Sequence, residues 1–187
     1  MRQRLKQLLA QRPPRKSDGT GLIPSAVLVP LFSRDDTYYL LFTRRTQTVK
    51  THKGQISFPG GVYEDKDGTL EQTALRESAE EIGLDPRDVE ILGRLDDEPS
   101  ATADYIITPY AGLIPWPYDF KLSEAETEEI IIIPVNTLLA GGCRPQLINT
   151  PEGKVSSYAY EYNGTIIWGA TAHILKRFLD IFTEARV

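Results

Sequence analysis

The chain has one cysteine, no long apolar run and no surplus of positive charge. Cys143 has no second thiol to pair with, so no internal disulfide forms and nothing calls for an oxidising compartment. No stretch reaches the roughly eighteen uninterrupted apolar residues of a membrane span, and the opening MRQRLKQLLAQRPPRK lacks the apolar centre of a secretion signal. The expected location is the cytoplasm, with no membrane partner. A net charge of -5 leaves too few cations to neutralise a phosphate backbone, which argues against nucleic acid as a partner. Internal repeats, low-complexity tracts and long linkers are also lacking. The chain does have 187 residues, 41% of them hydrophobic, enough for the core of one domain spanning 1–187.

Hydrophobic periodicity orders the chain. Leu5, Leu8 and Leu9 fall at helical spacing before Pro13 and Pro14, so residues 1–12 read as a peripheral amphipathic helix that serves packing. Residues 26–32 and 38–43 read as strands either side of a turn at 33–36, followed by a short strand at 55–58 and a loop at 59–61. A helix is predicted over 70–82, closed by Gly83. Residues 89–95, 105–114 and 130–135 read as strands, with a loop at 96–104. Asn163 and Gly164 mark a hairpin between 158–162 and 165–168. A last helix over 170–183 puts Ala172, Leu175, Phe178 and Leu179 on one side. Strands before, around and after two substantial helices predict an α/β layered domain with a mixed sheet. In that frame Tyr105 and Trp168 read as core aromatics, His173 as packing or surface, and Cys143 as having no functional role.

Charge is distributed unevenly. Arg44, Arg45, Lys50 and Lys53 lie with His52 in a stretch without acids, whereas carboxylates dominate from Glu64 to Glu81. Adjacent basic and acidic patches suit an anionic ligand that arrives with metal ions. Within the predicted helix Glu77 and Glu81 stand about 40° apart, with Glu80 on the adjoining edge. Like charges at that spacing destabilise a bare helix, and hard cations such as Mg²⁺ or Mn²⁺, which prefer carboxylate oxygen, would compensate them. Three glutamates on one side also fit a solvated surface. The flanks favour the metal reading: Gly60 and Gly61 allow close backbone approach, Arg76 is placed to hold a neighbouring glutamate, and Gly83 ends the helix.

The stretch GGVYEDKDGTLEQTALRESAEEIGL resembles the Nudix box, a Gly, five residues, a Glu, seven residues and then R-E-U-x-E-E-x-G-U, with U apolar. Its second half departs only at Ser78. In its first half Gly61 lies fifteen residues before Arg76 where the pattern has fourteen, and the place of the first Glu falls on Gly68, beside Asp67. The extension resembles the branch of the family that hydrolyses coenzyme A, whose upstream signature is similar to LFTRRTQTVKTHKGQISFPGG at 41–61, with departures at Phe42, Thr46 and Lys50. Ile107, Thr108, Pro109 and IWGATAHIL at 167–175 are also similar to that branch.

The resemblance implies a Nudix-type α/β/α sandwich with a metal-binding loop-helix-loop and a small nucleotide as substrate. It implies metal-dependent hydrolysis of a diphosphate, with Mg²⁺ or Mn²⁺ on Glu77, Glu81 and Glu80, Arg76 orienting them and the backbone of Gly60 or Gly61 supplying a further oxygen. A helix glutamate, Glu128 or Glu129 is the candidate base. Arg44, Arg45, Lys50, Lys53, Gln55 and Gly60 are the candidate substrate contacts, the cations for a 3'-phosphate. His52 reads either as a turn residue or as a ligand contact. ADP-ribose, dinucleoside polyphosphates or damaged nucleotides are alternative substrates, and a non-catalytic binding module is the alternative of another class. The retained glutamate trio speaks against the module.

Overall fold

The computed structural model describes residues 1–17, 20–47, 53–100, 104–150 and 153–186. Helix α1 (Arg2–Gln11) precedes β1 (Ile23–Arg34) and β2 (Thr37–Arg45), joined by a tight turn in which Asp35 and Asp36 take positive φ. Two short strands, β3 (Ile56–Ser57) and β4 (Gly60–Val62), lead to α2 (Leu70–Ile82). Strands β5 (Glu90–Arg94), β6 (Glu98–Pro99), β7 (Tyr105–Leu113) and β8 (Thr127–Pro134) follow, then α3 (Val135–Gly141). A three-stranded sheet of β9 (Arg144–Thr150), β10 (Gly153–Tyr162) and β11 (Thr165–Trp168) runs into α4 (Gly169–Ala185).

The larger sheet is mixed and carries an opening at its centre. β1 pairs in parallel with β7 along one edge, from Ile23 to Leu31. On its other edge it bonds two different strands: β2 through Leu31–Arg34 and β4 through Ser25–Val27. β2 divides in the same way, bonding β1 near its start and β3 at Thr43 and Arg44, with β8 along its far edge. β1 and β2 therefore part company after four residue pairs, and the segment 56–62 crosses the fork, bonded to β2 on one lip and β1 on the other. Leu28 N–H donates to Pro59 O (2.9 Å), and the Phe58 ring stacks on Phe42 (4.6 Å between centroids).

Both faces of β1 are covered, which is why its run 26–32 is almost uninterrupted in apolar residues. Ala26, Leu28, Phe32 and Leu41 pack with Ala74, Ile82 and Leu84 from α2 and the loop after it. The opposite face, with Val29, Leu31, Leu40 and Phe42, meets Leu5, Leu8 and Leu9 of α1 and Phe178, Leu179 and Phe182 of α4. The result is an α/β/α sandwich. Gly93 sits under α1, where a Cβ would come 2.6 Å from that of Leu9.

Three expectations change, and one strand had no expectation. Gly60 and Gly61, read as loop, belong to β4 because the fork leaves the edge of β1 open to them. The loop at 96–104 contains β6, which pairs with β7. Val135 starts α3 and does not end a strand, since Pro134 fixes the extended φ of an N-cap and offers no N–H to continue the ladder. β9 has the polar sequence RPQLINT, without the alternation that marks a half-buried strand, and its partner β10 defines it.

A short 3-10 turn, Asp65–Asp67, precedes α2, with Glu64 and Asp67 capping each other. Thr69 then caps α2 by accepting from Gln72 N–H (3.2 Å), and Gly83 closes it in the left-handed conformation (φ 68°). Asp67 binds Arg76 through both carboxylate oxygens, 2.7 Å to Nε and 3.0 Å to Nη2, and accepts from the Thr73 hydroxyl (2.8 Å). The Arg76 guanidinium holds the Asp67 carboxyl well below the usual carboxylate range, against the opposing effect of its burial.

Two substitutions test this frame. Leu5, fully buried, anchors α1, so Leu5→Ala should destabilise the protein by about 2–5 kcal/mol in denaturant unfolding; a loss under about 1 kcal/mol would mean that α1 does not contribute to the core. Because the folded-state pKa of Asp67 is depressed, its contribution is complete above the unfolded-state value of about 4 and fades as pH falls below it. Asp67→Asn should lower Tm clearly at pH 7 and progressively less toward pH 3. A gap that stays constant with pH would contradict the ionic reading.

Candidate active site

A cavity of about 520 Å³ opens at the fork, within the range of small-molecule sites. One wall is α2 with Arg76, Glu77, Glu80 and Glu81; its floor is the crossing segment with Gln55, Phe58, Gly60 and Gly61, and Arg45 stands at the end of β2. The spacing foreseen in the sequence holds: helical geometry brings the three glutamates to one side of α2.

Arg76 organises this wall. Nε and Nη2 grip Asp67, Nη2 also reaches Val62 O (3.0 Å), and Nη1 lies 2.8 Å from Glu77 Oε1 and 2.9 Å from Glu80 Oε2. All five N–H donors are used. Glu77 lies directly over Gly61, where a Cβ would fall 2.4 Å from the Glu77 carboxyl carbon. Any side chain at 61 would displace that carboxylate, a stronger demand for glycine than backbone freedom alone. Asp67, at the place where the family's first glutamate is displaced, is consumed by Arg76, Thr73 and Glu64 and does not line the cavity.

Glu81 is 2% exposed. Its Oε1 lies 3.4 Å from Arg45 Nη1, while Oε2 has no hydrogen-bond partner among the described residues. Burial pushes its carboxyl up to about 8; Arg45 and the Gly60 amide oppose the shift, and the nearby Glu77 and Glu126 add to it. Glu77 is raised as well, first by burial, with Arg76 opposing. A buried acid with an unsatisfied oxygen beside two further carboxylates is a hard-oxygen donor set short of a counter-charge, which fits a divalent cation. Among the described residues no three acidic or histidine groups yet converge on one point, and Arg76 holds one oxygen each of Glu77 and Glu80.

The proposed substrate contacts separate. Arg45, Gln55 and Gly60 line the cavity. Arg44 is turned away to Glu129 (2.5 Å) and Thr165 (3.5 Å), Lys53 is exposed and outside the wall, and Lys50 and His52 lie outside the described residues. Glu128 and Glu129 do not line the cavity, whereas Glu126 does. The loop that carries Glu126 is tied to the end of α2 by Lys121 N–H to Ile82 O (3.0 Å) and Ser123 N–H to Glu81 O (3.0 Å), and Thr46 N–H bonds Glu126 O (3.0 Å). Its sequence, an acidic run of Glu124, Glu126, Glu128 and Glu129, does not distinguish these residues; the chain path does. Tyr105, Trp168 and His173, read as core or packing, are all partly exposed and line the cavity, because β7 and α4 both begin at its rim.

A model of the NUDIX domain matches residues 22–151. A protein of Photorhabdus laumondii named as an uncharacterized Nudix hydrolase NudL is 35% identical over 87% of this chain and 87% of its own, and a NudL of Cronobacter sakazakii is 32% identical over 88% and 85%. The fold is also similar to that of the NUDIX domain of Shewanella oneidensis NrtR, solved with ADP ribose, at a TM-score of 0.51 and 22% identity over 72% of this chain and 85% of that one. No helix among the described residues is long and apolar enough to cross a membrane. The chain belongs to the Nudix hydrolases, which act on pyrophosphate bonds in phosphorus-containing compounds and generally use divalent metal ions such as Mg²⁺ or Mn²⁺.

Proposed function

We propose that the chain hydrolyses the diphosphate linkage of coenzyme A or its acyl derivatives, releasing 3',5'-ADP and 4'-phosphopantetheine or its acyl form. The observation that carries this reading is the position of the described parts of 41–61, a segment whose sequence resembles the coenzyme A branch. Residues 41–47 and 53–61 supply Arg45, Gln55, Phe58, Gly60 and Gly61 to the cavity, against the α2 carboxylates.

Glu77 and Glu81 are the principal metal ligands in this reading, with Glu80 and the Gly61 backbone completing the oxygen set. A divalent cation, when bound, supplies charge neutralisation and Lewis acidity. Arg76 fixes the rotamers of Glu77 and Glu80, so that the carboxylates are placed before substrate arrives. Arg45, with Nε unpaired among the described residues, faces the diphosphate oxygens. Its place beside Glu81 supports a contact with the reacting diphosphate, whereas the sequence suggested the 3'-phosphate. A carboxylate oxygen of Glu126 accepts the proton of the attacking water as the bond from phosphorus to the bridging oxygen breaks. ADP-ribose is the alternative substrate, and turnover decides between the two.

Glu81→Gln should lower kcat on the order of 10²–10³-fold or more with Tm preserved; full activity would remove α2 as the metal face. Arg45→Ala should lower kcat/KM for coenzyme A and dephospho-coenzyme A alike, by about 10- to 100-fold, the equivalent of roughly 1.5–3 kcal/mol for a charge-assisted hydrogen bond. A loss confined to coenzyme A would move Arg45 to the 3'-phosphate. Incubation with Mg²⁺ or Mn²⁺ and coenzyme A, ADP-ribose, NADH, diadenosine polyphosphates and oxidised nucleotides, with products separated by chromatography, tests the whole reading. Preferential release of 3',5'-ADP supports it, and preferential cleavage of another compound replaces the substrate.

A further inference from the structure

The wall of the cavity built by β6, β7, β10, β11 and α4 differs in chemistry from the carboxylate wall. Glu98, in β6, is 5% exposed and held between two side chains of α4: Oε1 lies 2.7 Å from His173 Nδ1, and Oε2, with no hydrogen-bond partner among the described residues, lies at ion-pair distance (2.9 Å) from Arg177 Nη1, which donates to Asp96 O and Asp97 O. Arg177 follows His173 by one helical turn, so both reach the same carboxylate. A carboxylate paired with arginine accepts and does not donate, so the proton of the neutral imidazole belongs on Nδ1. In that form Nε2 is an acceptor, with the Ser157 hydroxyl 3.4 Å away. The Tyr158 ring meets the imidazole edge-on (5.3 Å between centroids, 65°) and limits its rotation.

Two flat rings stand in the same wall. Trp168 pairs with Ala159 across β10 and β11, and Ser157 lies two residues along β10, hence on the same face of the small sheet. Tyr105 begins β7, next to the β6 strand that carries Glu98. Among the described residues neither Trp168 nor Tyr105 stacks on another ring, and both face the cavity together with His173 and Ser157. A pinned acceptor, a hydroxyl and two partly exposed rings without an aromatic partner among the described residues suit a planar heterocycle bearing an N–H group.

We propose that His173 and Ser157, flanked by Trp168 and Tyr105, form the subsite for an aminopurine ring, with His173 Nε2 accepting from the exocyclic amino group. This rests on the adenine-containing substrate proposed above. Glu98 and Arg177 are positioning residues: they set the tautomer and direction of His173 without touching the base. The adenine then lies against α4 while the diphosphate lies against α2, so one wall recognises and the other reacts.

The test is calorimetric binding of adenosine 3',5'-bisphosphate and of its analogue with hydrogen in place of the 6-amino group, to the intact protein and its variants. The wild type should bind the amino compound about five- to tenfold more tightly, the ratio expected from one neutral hydrogen bond. His173→Ala should bind both equally, and His173→Gln, which keeps an acceptor, should restore part of the preference. Ser157→Ala, with His173 intact, should keep the preference while weakening both ligands. Equal binding by the wild type, an undiminished preference in His173→Ala with Tm unchanged, or no binding of either ligand would overturn the subsite. Turnover of coenzyme A is read separately: a preference that depends on His173 without coenzyme A cleavage upholds the subsite and discards the substrate, and cleavage without a preference does the reverse.

Discussion

The geometry of the reacting wall depends on one guanidinium. Arg76 binds a 3-10 turn through Asp67, a strand through Val62 O and its own helix through Glu77 and Glu80, with no donor to spare. Its side chain is 16% exposed, so these bonds are shielded from the competition of water that makes most surface ion pairs weak. Turn, strand and helix are thereby fixed to one another at the point where carboxylates must be held against their mutual repulsion.

The fork in the sheet supplies the other half of the arrangement. A sheet paired along its full length would separate α2 from α4 by a continuous layer, leaving each with its own surface. Because β1 and β2 diverge, the backbone of 56–62 comes within reach of both faces, and Gly61 can lie beneath Glu77 without a side chain in the way. Burial of Glu81 follows from the same geometry, since it packs toward the crossing segment and away from bulk water.

What the sequence discloses are the local parts. The span of α2 follows from the apolar period and its end from Gly83, and the glutamate face follows from helical spacing, while the Thr69 cap came only with the structure. The central strands declare themselves by composition, and the hairpin by Asn163 and Gly164. What escaped was decided by distant neighbours. Gly60–Val62 becomes a strand only because an edge is vacant, and Glu126 is set apart from Glu128 and Glu129 only because its loop is pinned to the end of α2. His173 looks like any histidine on an amphipathic helix until Glu98, seventy-five residues earlier, is brought against it. The displaced first acid of the family pattern is a middle case: Asp67 was visible beside Gly68, yet its role, as the anchor of Arg76, required the turn to be seen.

Helix α4 has a divided loyalty. Its later turns, with Phe178, Leu179 and Phe182, are core against α1 and the sheet, while its first turn forms cavity wall. Core residues and cavity-lining residues thus occupy successive turns of a single rod. The ligand-facing surface can therefore be reshaped at 168–171 and 173, positions that line the cavity, while Ala172, the reactive helix and the hydrophobic interior stay as they are.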